Sequence, residues 1–241
     1  MLNQARALEG YRVVSPGGKV GRVKEFYFDD QHWVIRYLLV SMGDWRAERW
    51  VPIPPCALGA VLRDEKRIAI GWTARQIEEG ASVNHAGPAS PLFEEARTAH
   101  PGWPVQPGGP RRHGLPASSL RDPGERCGPA GPEHGWDTHV RSTHDLSGYQ
   151  TQAVDGEGGH VEDVVIDDET WAIRYLIINT HGLWPGRRAL VSAQWVERIS
   201  WGEARVFVKL AREAIRHSTE FSEEALRTRD YETRLHRHYS P

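Results

Sequence analysis

The chain has 241 residues, enough for one large domain or two small ones, and its 30 Lys+Arg against 32 Asp+Glu leave a formal charge of −2. That balance excludes a whole-chain basic footprint for nucleic acid or for an anionic membrane surface. With only Cys56 and Cys127 present, a disulfide framework is not expected and a reducing cytoplasm is the default.

The first residues, Met1-Leu2-Asn3-Gln4-Ala5-Arg6, lack the basic and then apolar order of a secretory signal. No apolar run approaches the roughly 18 residues that span a bilayer; the run over 34–42 is broken by Arg36. A cytoplasmic protein without a transmembrane segment is the expectation.

Residues 10–38 return at a constant offset of 138 as 148–176: Gly10-Tyr11 recurs as Gly148-Tyr149, Gly21 as Gly159, and DDQHWVIRYL (29–38) as DDETWAIRYL (167–176). Seven of those ten residues are identical, which marks an internal duplication. Within a copy, residues 20–28 and 33–40 are β-branched and aromatic runs around a polar four-residue loop, a hairpin signal. A symmetric loop pairs Phe28 with Trp33, Phe26 with Ile35 and Glu25 with Arg36. In the second copy it pairs Ile166 with Trp171, Val164 with Ile173 and Asp163 with Arg174. A cross-strand ion pair is therefore expected in each copy, Glu25–Arg36 and Asp163–Arg174.

A short apolar strand follows at 50–53 (189–191 in the second copy), then a second hairpin turning at 63–66 and 201–203, and a short helical pattern near 73–79 and 211–217. With antiparallel hairpins and so little chain, closure into a small barrel removes exposed edges most economically. Between the copies, residues 85–143 collect ten of the sixteen prolines without a hydrophobic period. A composition of that kind cannot offset its ordering entropy and reads as a disordered linker. Past the second copy, residues 221–238 read as a helix starting at Ser222, packing through Leu226, Tyr231 and Leu235.

The domains expected are thus a first module over 1–84, the linker over 85–143, a second module over 144–217 and a helical tail over 218–241. The fold class is all-β with short helices: two small β-barrels from an internal duplication.

The residues that could carry chemistry have structural explanations. Asp29-Asp30 and Asp167-Asp168 fall on the hairpin turns, where an exposed Asp caps its own backbone. Trp33 and Tyr37 in the first copy, and Trp171 and Tyr175 in the second, line the same strand of each repeat and are read as barrel core or as an interface. The glycines at 156–159 lie between strands and fit a turn and a bulge better than a phosphate loop. The twelve histidines show no metal-ligand spacing. Cys56 reads as an apolar core residue and Cys127 as a free thiol. No catalytic, cofactor-binding or metal-binding set is expected, and no enzyme.

Gly10-Tyr11, the stretch 17–30, Ile35-Arg36-Tyr37-Leu38, and more strongly 155–168, 171–179 and 189–195 resemble the PRC-barrel family. That is the fold of the cytoplasmic domain of the photosynthetic reaction centre H subunit and of the C-terminal half of the ribosome maturation factor. The tail from Arg229-Asp230-Tyr231-Glu232 to Tyr239 is similar to the ending of two-module bacterial members. The resemblance implies an adaptor or scaffold that works by protein contact or self-association, with no catalytic residues and no cofactor. The partner protein is not named by the sequence. A homo-oligomer, or pairing of the two modules, is expected. The alternative is an accessory role in RNA processing or ribosome maturation, which a missing basic stripe disfavours.

Overall fold

The structure is a computed structural model, and it describes residues 1–43, 49–73, 77, 139–180, 187–218, 221–222 and 226. The chain is β-rich, with two sheets and a few short helices. The first repeat runs β1 (Leu2–Gln4), α1 (Ala5–Leu8), β2 (Arg12–Ser15), β3 (Gly18–Asp29), β4 (Val34–Met42), β5 (Arg49–Ile53), a 3₁₀ turn (Pro55–Ala57), β6 (Leu58–Leu62) and β7 (Arg67–Ile70). The second runs β8 (Val140–Ser142), α2 (Thr143–Leu146), β9 (Gln150–Ala153), β10 (Gly156–Asp167), β11 (Ile173–Asn179), β12 (Arg188–Ser192), a 3₁₀ turn (Ala193–Trp195), β13 (Val196–Ser200), β14 (Arg205–Val208) and α3 (Arg212–His217). Every element of the first repeat returns in the same order in the second. The duplication therefore extends to the strand–turn segment ahead of Gly10 and Gly148, where sequence identity had faded.

The sheets have orders β12-β11-β10-β9-β14-β13 and β5-β4-β3-β2-β7-β6, with β1 joined to β10 and β8 to β3. The hairpins are antiparallel as expected, but β2–β7 and β9–β14 are parallel. These strands are some 50 residues apart in the chain, and no turn signal reports such a pairing.

Two compact units emerge, and their boundaries do not follow the order of the repeats. The C-unit comprises Met1–Glu9, Trp33–Ile35 and Arg141–Pro241; the N-unit comprises Gly10–His32 and Arg36–Val140. In the C-unit, β9 covers only the first half of β10's edge, from Gly156 to His160. β1 takes up the second half, with Gln4 opposite Val165 and Leu2 opposite Asp167. The reason is visible in the burial of β10, which alternates at its start and is continuous over Asp163–Ile166, so both faces of its second half need cover. On one face Val165, Tyr175, Ile177 and Leu190 pack with Leu2, Phe221 and Leu226. In the N-unit Tyr27, Tyr37 and Leu39 pack with Val140, flanked by Trp50 and Trp72.

The C-unit also contains a short symmetric bridge. Val34 pairs with Ala172, its equivalent in the repeat. The Ile35 N–H donates to the Trp171 carbonyl and the Ile173 N–H to the Trp33 carbonyl, both at 2.7 Å. Trp33 and Trp171 hold φ of 55° and 54°, a region bulky side chains seldom enter.

The helical pattern near residue 77 holds for Ile77, which is fully buried and bonded to the Thr73 carbonyl. Leu226 packs as expected from the tail; Tyr231 and Leu235 lie outside the described residues, as does most of the segment read as linker.

Candidate functional site

The hairpin turns at 29–32 and 167–171 bring the most polar groups together in each unit. In the N-unit Asp29 is buried, not exposed. Its Oδ1 accepts the N–H groups of Gln31 and His32, both at 2.9 Å, which is the self-capping expected of a turn aspartate. Its Oδ2 accepts from Arg36 Nη2 at 2.6 Å, and His32 Nδ1 lies 3.0 Å from both oxygens. Burial raises the Asp29 carboxyl, but Arg36 and His32 outweigh it and hold the group below the usual carboxylate range. Beside it Asp30 receives His139 Nδ1 at 3.0 Å, and the Asp30 N–H donates to the His139 carbonyl.

The C-unit repeats the plan with different groups. Asp167 Oδ1 accepts from the Glu169 N–H and Oδ2 from the Thr170 hydroxyl. Asp168 receives the Met1 ammonium at 2.5 Å and Asn3 Nδ2 at 2.9 Å. Position 139 is the equivalent of position 1, so in both units the first aspartate of the turn shapes the loop. The second anchors the strand that precedes a repeat.

Among the described residues Arg36 and Asp163 have partners other than those expected. Arg36 reaches Asp29 instead of Glu25, which accepts from the Tyr27 hydroxyl at 2.8 Å. Asp163 pairs with Ile177 and Val164 with Leu176, not with Arg174 and Ile173. In the second copy the cause is the loop together with a bulge. The loop is longer than four residues, so the ladder opens with Ile166 opposite Ile173 and not Trp171, and it then passes to Val165–Tyr175, which leaves Arg174 as the extra residue.

Asp163, 4% exposed, has a different task. Its Oδ2 accepts the Arg6 N–H at 3.0 Å, in the first turn of α1, and its Oδ1 accepts the Val164 N–H at 2.8 Å. It thus supplies the cap that Gln4, at the N-cap position, does not provide. Burial pushes this carboxyl above the usual range, against the opposing pull of the Val164 and Arg6 N–H groups, the Gln4 side chain and the Arg6 charge. Sequence reasoning marked Asp163 as special but gave it the wrong partner, because the partner comes from a segment far away in the chain.

The aromatics Trp33, Tyr37, Trp171 and Tyr175 are all buried, Tyr37 and Tyr175 in the clusters named above. At 156–159 the expected turn and bulge are present. Gly156 and Gly159 have φ of 137° and 116°, and Gly158 is skipped by the ladder between Glu157–Gln152 and Gly159–Thr151. Cys56 departs from expectation: it is half-buried and disulfide-bonded. Cys127, the other cysteine of the sequence, lies outside the described residues. Among the described residues no group of three or more His, Cys, Asp and Glu is arranged to hold a metal ion, and no helix is long and apolar enough to cross a membrane.

The class of protein defined so far is an internally duplicated β protein whose polar turn residues fasten strands. Known families carry it no further: no family model matches the chain, and no curated protein matches it.

Proposed function

We propose that the chain is a non-enzymatic adaptor of the PRC-barrel type that works through protein contact, self-association included, in the cytoplasm. The observation that carries this reading is the use made of its carboxylates. Asp29, Asp30, Asp163, Asp167 and Asp168 each serve to shape a turn, cap a helix or fasten a strand, so their chemistry is directed at the chain itself. The duplicated element order, with a strand from one repeat completing the sheet of the other, supports it further.

Light scattering coupled to size exclusion, on the full chain and on a chain lacking residues 85–143, tests the reading. A discrete homo-oligomer in both supports self-association. A monomer in both, together with tight retention of RNA, replaces the reading by the RNA-linked alternative. The compartment is tested through Cys56 by alkylation of extracts with and without reductant, read by mass spectrometry. Labelling without reductant is the result expected of a reducing cytoplasm, which keeps the bond open; labelling only after reduction would overturn the cytoplasmic placement.

A further inference from the structure

Among the described residues six strands have a single neighbour: β5, β6, β12 and β13 at the ends of the two orders, and β1 and β8 beside them, which are buried or half-buried throughout. An edge strand presents unpaired N–H and C=O groups, and proteins guard such edges with proline, charge or cover. β5 carries Pro52 and is buried over Val51–Ile53. β12 is buried over Ala189–Ser192, and its Arg188 carbonyl is taken by the Phe221 N–H. β13 exposes Glu197 and Arg198. β6, with the sequence LGAVL, has no charge and no proline, and among the described residues it pairs with β7 alone.

The repeat makes the contrast sharp. At the half-buried positions the two strands agree in character, Leu58 with Val196 and Val61 with Ile199. They differ where β6 is exposed: Gly59, Ala60 and Leu62 stand where β13 has Glu197, Arg198 and Ser200. Both strands carry a bulge, so the bulge does not account for the difference.

We propose that the outer edge of β6 is a self-association surface, pairing antiparallel with β6 of a second copy of this chain; this rests on the self-association reading above. In the register centred on Ala60, Leu58 lies opposite Leu62 and Gly59 opposite Val61. The charged turn 63–66 falls opposite Pro54, Pro55, Cys56 and Ala57, so no charge meets another. The same pairing of β13 would set Arg198 against Arg198, which is repulsive. A five-residue edge buries far less than the roughly 1,200 Å² of a stable interface, so the dimer is weak and concentration-dependent.

Sedimentation velocity on the full chain over a wide concentration range tests the proposal, with Ala60→Lys and Leu62→Lys as edge variants and Ser200→Lys as the matching change on β13. The expected result is a dimer in the parent and in S200K, weakened at least about tenfold by either edge lysine: A60K sets like charges opposite each other, and L62K sets a charge against the apolar Leu58 of the second copy. Thermal melts should leave A60K and L62K as stable as the parent, since both positions are exposed, and should show S200K, at a half-buried position, still folded. A dimer indifferent to both edge lysines would overturn β6 as the surface while leaving self-association standing. A parent that stays monomeric throughout would remove both, and leave contact with a different protein as the adaptor reading.

Discussion

Asp29 and Asp163 are buried carboxylates whose titrations are displaced in opposite directions, and this gives them opposite signatures in stability against pH. Asp29 titrates below its ordinary value of 3.8, so its contribution is present above that value and is lost as pH falls through the folded pKa. Asp29→Asn, which leaves Arg36 without its ionic partner, should cost about 2 kcal/mol near pH 7. Urea titrations should show the gap to the parent narrowing toward pH 3. Asp163 titrates above 3.8, so the folded chain holds this proton more tightly than the unfolded chain. Its contribution is fullest below that value and declines as pH rises through the folded pKa. The loss in Asp163→Ala should therefore be larger at pH 3 than at pH 7. A gap that moves the same way in both variants would contradict these environments. The sequence pointed to both residues through hairpin position and repetition. It could not show which aspartate is buried, because Asp29 and Asp167 hold equivalent hairpin positions, each with an arginine seven residues on, and differ nearby mainly in His32 standing where the second copy has Thr170.

At the scale of elements, strand order along the chain and the hairpin turns were readable because they are local. Lys66 and Ala204, with φ of 48° and 51°, close the second hairpin at equivalent positions. Register was not readable, since a loop that sets Ile166 opposite Ile173 and one extra residue at Arg174 together move the partner of Asp163 from Arg174 to Ile177. Where the long strands cross their neighbours the repeat does carry a usable mark. A Cβ on Gly21 would stand 2.2 Å from the Ser41 carbonyl oxygen, and one on Gly159 would stand 2.4 Å from that of Asn179. Both obstacles are backbone, so neither can turn aside. Gly21→Ala and Gly159→Ala should each destabilise by about 2–4 kcal/mol. Gly202→Ala, with open space around it, should leave the melt nearly unchanged. Thermal melts of the three variants check the ranking.

For the whole molecule, the decisive fact is that a unit and a repeat are different things. Seen along the chain, residues 1–9 introduce the first repeat, and their removal would be expected to weaken it. In the structure Met1–Glu9 belongs to the C-unit, where Leu2, Ala5 and Leu8 are buried to 4%, 1% and 1% exposure and the Arg6 N–H is capped by Asp163. Burying the two leucines contributes roughly 3–6 kcal/mol as an upper figure. A chain lacking residues 1–9 should therefore lose hydrogen-exchange protection about a hundredfold or more in β10 and β11 of the second repeat, since each 1.4 kcal/mol is a factor of ten. Protection in β2, β3 and β7, which belong to the N-unit, should hold. Exchange measured peptide by peptide on the parent and the truncated chain separates the two views. Loss confined to β2 and β3 would mean that the segment stabilises the repeat it precedes. Loss in β10 and β11 would mean that the duplicated halves are built from each other's chain, which a search for domain boundaries by composition has no means of detecting.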